Sequence, residues 1–248
     1  KGRPLCGENG AGKSTVLKII TGIYTKDAGE IYLEGKEIDV PNVDTAKKYG
    51  IHVVPQEMQM LPELSVAENI FIGNLPRTKA GFIDWKTLYK KAEEVKAMLG
   101  DAGKKIDLKK KAGVYGMGTW QLIEIMRAFT TDTIKVIAFD EPTSSLSDKE
   151  VEVLFNLIRG LREKGLAIVY VSHRLKEVFE LCDQVSVFRD GQYIGTREVK
   201  DINTNDLISM MIGRDLNMFG DVTFGADVQD VIAVKATNYS HGKFYQDI

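Results

Sequence analysis

The stretch Gly7-Glu8-Asn9-Gly10-Ala11-Gly12-Lys13-Ser14-Thr15 satisfies the pattern G-x-x-x-x-G-K-[ST] at every fixed position, and it decides the fold. A phosphate tail carries several negative charges, and a glycine-rich backbone can wrap it so that successive N–H groups point inward. Lys13 then reaches the β- and γ-phosphates, and the Ser14 hydroxyl ligates Mg²⁺. Val16, Leu17, Ile19 and Ile20 continue as an apolar helical pattern up to Gly22. The loop therefore caps a helix N-terminus, where orphan amides and the helix dipole favour an anion. The motif predicts a nucleotide triphosphatase.

Working outward, three hydrophobic runs end abruptly in polar residues. Pro4-Leu5-Cys6 precedes the loop, Val136 to Phe139 precedes Asp140-Glu141, and Ala167 to Val171 precedes Ser172-His173. Continuous apolar runs fit strands buried on both faces, which belong to a parallel α/β sheet whose ligands gather at the carboxyl ends. After the second run, Ser147 and Glu150 form a capping box ahead of an apolar face of Val151, Leu154, Phe155, Ile158 and Leu161, and Gly165 ends that helix. A βαβ crossover to the third strand follows. Asp140 is placed to hold Mg²⁺ through water, and Glu141 to orient and deprotonate an attacking water.

Between Gln56 and Trp120 the pattern turns to helices and loops, with one amphipathic segment carrying Trp85, Leu88, Ala92, Val95 and Leu99 up to Gly100. This predicts a helical insertion over about 60–132 in a domain spanning 1–215. Residues 184–199 alternate around Asp190-Gly191, a hairpin signal. Past Asp215 the periodicity fades through Gly220 and Gly225, then Val231-Ile232-Ala233-Val234 opens another strand. The expectation is a linker over 216–230 and the start of a second domain at 231–248.

The chain has 248 residues, 44% hydrophobic and 27% charged, enough to bury a full core in one or two domains. Its net charge of −2 argues against a nucleic-acid partner, which a basic surface would normally support. No apolar run reaches the length of about eighteen residues that a span needs, so a membrane role would pass through a partner. Cys6 and Cys182 lack metal-ligand or redox spacing and sit in apolar stretches, as buried thiols do.

Gln56, in Val54-Pro55-Gln56-Glu57, reads by itself as a surface amide, and His173 as a structural histidine. Taken with the phosphate loop and Asp140-Glu141, in this order and spacing, they resemble the ATPase domain of ABC transporters over nearly the whole chain. The segments VPQEMQMLPELSVAENIFIG (54–73), GFIDW (81–85), DEPTSSL (140–146) and IVYVSHRLKEVF (168–179) are similar to the ATP-binding subunits of monosaccharide importers of the ribose, galactose and xylose kind. That resemblance implies a RecA-like P-loop parallel sheet with a helical subdomain and antiparallel β elements, and ATP and Mg²⁺ as cofactors. It implies that Gln56 senses Mg²⁺ and the γ-phosphate beside a face turned to the membrane permease. His173 would contact the γ-phosphate, and Ser145 to Asp148 would cross the interface with a second nucleotide-binding domain. An amide can bind metal by its oxygen and water by its NH₂, and imidazole can donate to phosphate, so these roles are chemically apt.

The resemblance further implies a second nucleotide-binding domain fused in the parent chain, permease subunits, an indirect sugar-binding protein, and a peripheral place at the cytoplasmic face of the membrane. The chain departs from the family in two places. Where the family has Leu-Ser-x-Gly-Gln, this sequence has Tyr115-Gly116-Met117-Gly118-Thr119, so Gly116 replaces the serine hydroxyl. The signature residues Gly116, Met117 and Gly118 would act on the partner site rather than on the one built by Lys13. Second, six residues precede the loop, too few for the strand pair that normally carries an adenine-stacking aromatic, and Pro4 fits poorly in a central strand because it lacks a donor. The chain is therefore expected to begin inside its domain. Two other functions fit part of the pattern: a regulatory nucleotide-binding domain with little hydrolysis, suggested by Gly116, and a DNA-repair ATPase, opposed by the charge and by the lack of sustained heptads.

Overall fold

Six short segments of this chain pair into one sheet, and the central ones are apolar runs whose successive residues point to opposite faces. The structure, a computed structural model, describes residues 2–7, 10–131 and 133–213, which belong to the unit Lys1–Gly213. Glu8, Asn9, the expected linker 216–230 and the expected second-domain start 231–248 lie outside the described residues.

In chain order the elements are β1 (Gly2–Cys6), α1 (Lys13–Ile20), β2 (Ile31–Leu33), β3 (Lys36–Ile38), α2 (Val43–Lys48), β4 (Ile51–Val54), α3 (Val66–Ile70) and α4 (Trp85–Ala97). They continue with α5 (Met117–Ala128), β5 (Val136–Asp140), α6 (Asp148–Glu163), β6 (Ala167–Val171), α7 (Leu175–Leu181), β7 (Gln184–Arg189), β8 (Gln192–Glu198) and α8 (Thr204–Ile212). The large sheet runs β4-β5-β6-β1-β7-β8, parallel except for the β7–β8 hairpin, and β2–β3 form a separate antiparallel pair. β4, β2 and β3 are each three or four residues long and carry no sequence pattern that sets them apart.

Alternation in β5 divides the core. Ile137 and Phe139 pack with Leu154, Phe155 and Ile158 of α6 on one face, while Ala138 meets Leu17 of α1 on the other. Fully burying a side chain of this size contributes about 1.5–3 kcal/mol, so α1 and α6 clamp the strand from both sides. The helical segment adds Leu88, Ala92 and Val95 of α4 and Ile123, Ile125 and Met126 of α5 to the α6 side. β1 delivers the phosphate loop, β5 the acidic pair and β6 the histidine at the carboxyl ends of three neighbouring parallel strands.

Two expectations are corrected. Pro4 does sit in a central strand, opposite Tyr170, with β1 between β6 and β7. Pairing with β7 starts at Leu5, one residue after the proline, so that neighbour needs no N–H from Pro4. Trp85, expected on the buried face of α4, is 45% exposed and stacks on Tyr89 at 6.2 Å, because it stands at the first position of the helix and overhangs its end.

Candidate nucleotide site

The phosphate loop begins where β1 stops, and two of its glycines are demanded by the fold, Gly7 by a close neighbour and Gly12 by its backbone conformation. A Cβ on Gly7 would lie 2.3 Å from the Phe188 carbonyl oxygen, so β7 passes too close for any side chain. Gly12 is the N-cap of α1 with φ 97°, a conformation that costs other residues about 1–2 kcal/mol. It aims the first amides of α1 into the loop. Lys13 is buried and its Nζ donates to the Gly7 carbonyl at 2.8 Å, which folds the side chain back along the loop interior.

Asp140 closes β5, and Ser14 Oγ donates to its Oδ1 at 3.3 Å across 126 residues of sequence. Burial raises the Asp140 carboxyl above its ordinary range, with the Ser14 hydrogen bond opposing and the Glu141 charge reinforcing the rise. Glu141 follows in a left-handed conformation, φ 45°, unusual for a residue with a Cβ, while its N–H donates to the Val171 carbonyl at 3.0 Å. His173 Nδ1 stands 3.1 Å from Glu141 Oε1. Gln56, exposed just beyond β4, joins Glu141, Gly10, Ala11, Gly12, Lys13, Ser14 and Thr15 around a cavity of about 330 Å³. A larger hollow of about 590 Å³, between Met98-Leu99 and α6, has no phosphate-binding backbone.

The oxygen donors here are a hydroxyl from Ser14, one carboxylate from Asp140 and the Gln56 amide. Hard oxygens with a single carboxylate suit Mg²⁺, which is held together with substrate phosphates rather than in an all-protein cage. Among the described residues no group of three or more His, Cys, Asp or Glu could hold a metal.

The family model for ABC transporters matches residues 3–144, from β1 to just beyond Glu141. The chain belongs to the ABC transporter family. It is 44% identical over 212 residues to the ribose import ATP-binding protein RbsA of Shouchella clausii, and 45% identical over 213 residues to its counterpart in Clostridium perfringens. Each alignment covers 86% of this chain and 42% of the relative, so the chain spans less than half the length of these proteins. Among solved structures, the ADP conformation of MJ1267, an ATP-binding cassette of an ABC transporter, superposes with TM-score 0.70 at 29% identity, covering 86% of this chain and 87% of that one. A nucleotide-free ATP-binding cassette gives TM-score 0.67 at 28% identity over 86% and 84%.

Tyr115 to Thr119, expected from the sequence to be the signature segment, are not among the residues lining this cavity. Gly116 is the N-cap of α5, extended at φ −81° and ψ 177°, and a Cβ there would meet nothing within 4 Å. The Gly118 N–H donates to Glu150 Oε1 at 3.2 Å, while Glu150 Oε2 accepts from the Ser147 N–H at 2.9 Å and its hydroxyl at 2.7 Å. One carboxylate thus ties the head of α5 to the loop before α6. Met117, beside it, is 41% exposed.

Two further groups escaped the sequence reading. Arg127 donates to the Gln59 and Asn69 carbonyls and to Glu124, whose carboxylate also accepts from the Gln59 N–H, so the segment after Gln56 is fastened to α5. Glu177 on α7 collects hydroxyls from Thr143, Tyr170 and Ser172. A glutamate inside a short amphipathic helix gives no sign of this in a single sequence, since its partners come from other elements.

Proposed function

We propose that this chain is the ATP-binding and ATP-hydrolysing domain of a monosaccharide importer, acting with a fused second nucleotide-binding domain and a membrane permease. The observation that carries it is the one cavity edged by the phosphate loop, Gln56 and Glu141, with His173 on the Glu141 carboxylate. The role that the relatives carry in their names, ribose import, supports a sugar as cargo. No helix among the described residues is long and apolar enough to cross a membrane, and in this reading the chain sits at the cytoplasmic face, bound to the permease. The permease element would enter the cleft of about 340 Å³ lined by Ile23, Pro55, Gln59, Ile72 and Arg127, next to Gln56.

Loop amides from Gly10 to Thr15 and the Lys13 ammonium hold the phosphates. Ser14, Asp140 and Gln56 would hold Mg²⁺, which neutralises charge developing on the phosphoryl oxygens. Glu141 orients the attacking water and takes its proton, and His173 positions that carboxylate while offering its other nitrogen toward the phosphate. A regulatory domain with little hydrolysis is the second reading, favoured by the missing hydroxyl at Gly116.

Nucleotide binding and single-turnover hydrolysis of the full-length protein separate the two. Glu141→Gln should keep ATP binding and slow hydrolysis by about 10²–10⁴, the usual worth of a general base. Lys13→Ala should instead weaken binding. An unchanged hydrolysis rate in Glu141→Gln removes that residue from the role.

A further inference from the structure

We infer that Glu177 is a positioning residue for hydrolysis, a single buried carboxylate that holds the Glu141 loop and the His173 loop in register. The inference rests on the catalytic reading of those two residues. Glu177 stands in the first turn of α7 with 5% exposure. Its Oε1 accepts from Thr143 Oγ1 at 2.5 Å, and its Oε2 from Ser172 Oγ at 2.7 Å and Tyr170 OH at 2.9 Å. The Arg174 guanidinium lies 3.7 Å from Oε1.

What these donors are attached to gives the carboxylate its role. Thr143 is two residues past Glu141, and Ser172 is the residue before His173. The Ser172 oxygen also accepts from the Arg174 N–H at 3.0 Å, so one hydroxyl from the histidine loop and one from the acid loop converge on α7. The ring is closed at the front by the 3.1 Å contact between His173 and Glu141 and by the Glu141 N–H on Val171.

Two physical facts make the tie matter for rate rather than for packing alone. Glu141 holds a left-handed backbone that persists only where its surroundings impose it, and Thr143 anchors the far side of that turn. A shift of about 1 Å in a catalytic group costs on the order of a hundredfold in rate. Tyr170 supplies the contrast. Its hydroxyl reaches the same carboxylate from inside β6, not from either loop.

The test is ATP hydrolysis by the full-length protein, taken as the part that Lys13→Ala removes, together with ATP affinity and melting temperature. Glu177→Gln is the direct variant, but it can unfold the chain by stranding several hydroxyls, so the donors carry the decision. Thr143→Val and Ser172→Ala should each lower kcat about tenfold with KM for ATP within twofold, and Thr143→Ser should restore it. Tyr170→Phe should lower the melting temperature as much while changing kcat less than twofold. Equal kcat losses in Tyr170→Phe and Thr143→Val, no loss in either loop variant, or failure of the Thr143→Ser rescue overturns the inference. Glu141→Gln run in the same assay keeps the failures apart. If it leaves hydrolysis intact the catalytic reading falls, and if it abolishes hydrolysis while Thr143→Val does not, only the role of Glu177 falls.

Discussion

The head of α1 and the head of α5 are built alike and furnished oppositely. Each helix starts at a glycine N-cap with no side-chain cap, Gly12 for α1 and Gly116 for α5, and each leaves amides aimed outward. At α1 those amides face a cavity into which other elements bring Glu141 and Gln56, while Asp140 accepts from the Ser14 hydroxyl. At α5 the Gly118 amide already meets an anion from the same chain, the Glu150 carboxylate. A helix N-terminus is only a partial positive charge, and what it binds is decided by the side chains that surrounding strands and loops bring to it.

The largest way to break this comparison is to furnish α5. Gly116→Ser places a hydroxyl at an N-cap where nothing obstructs it. A hydrogen bond to a charged group contributes roughly 1.5–3 kcal/mol, so ATP affinity at the site completed by this head should rise about ten- to a hundredfold in the full-length protein. Equilibrium binding and turnover at that site check it, and unchanged values mean the α5 amides already suffice.

A smaller effect probes the far end of α5. His52 is buried, its Nε2 is 2.8 Å from Thr131 Oγ1 just beyond the helix, and burial first, then Lys47, lowers its pKa to about 4. Because the folded value is depressed from 6.5, the unfolded chain binds the proton more readily. Stability from this group is therefore complete above pH 6.5 and is lost as pH falls toward 4. Discounted for residual hydration, the loss is on the order of 1–2 kcal/mol, or about 2–8 °C in melting temperature. A His52→Asn variant should melt with a flatter pH dependence over that window, and an equal slope would show that the end of α5 is indifferent to the charge.

The smallest expected effect is at Glu150. Its carboxylate is held below the ordinary glutamate range, first by the Ser147 hydroxyl and then by backbone amides. Glu150→Ala should destabilise the chain by about 1 kcal/mol at neutral pH, since alanine can accept from neither the Ser147 nor the Gly118 N–H. The difference should disappear as acid protonates the carboxylate, since a depressed folded pKa gives stability only above the unfolded value. Thermal melts at two pH values measure it, and a variant equal to the parent at neutral pH would remove Glu150 as the tie between α5 and α6.

The parts legible beforehand share a local cause. The phosphate loop, the pair Asp140-Glu141 and the hairpin around Asp190-Gly191 are written in consecutive residues whose backbone demands are recognisable without partners. The short strands β2, β3 and β4 were not seen, because three or four residues are too few for a periodic signal and their pairing comes from elsewhere. Pro4 was misjudged for a related reason. A missing N–H excludes a strand only if a neighbour asks for it there, and the register with β7 begins one residue later.

By itself, the sequence determined that a glycine turn would lead from a strand into a helix just past Gly12 and that an acidic pair would end a buried strand, since chain connectivity and steric rules leave such segments few alternatives. The order β4-β5-β6-β1-β7-β8, the 3.3 Å approach of Ser14 to Asp140, the contact of His173 with Glu141 and the convergence of Thr143, Tyr170 and Ser172 on Glu177 were decided only in three dimensions. Those contacts join residues far apart in the chain, and their geometry depends on how burial of the whole core sets one strand against the next. No local pattern encodes that distance.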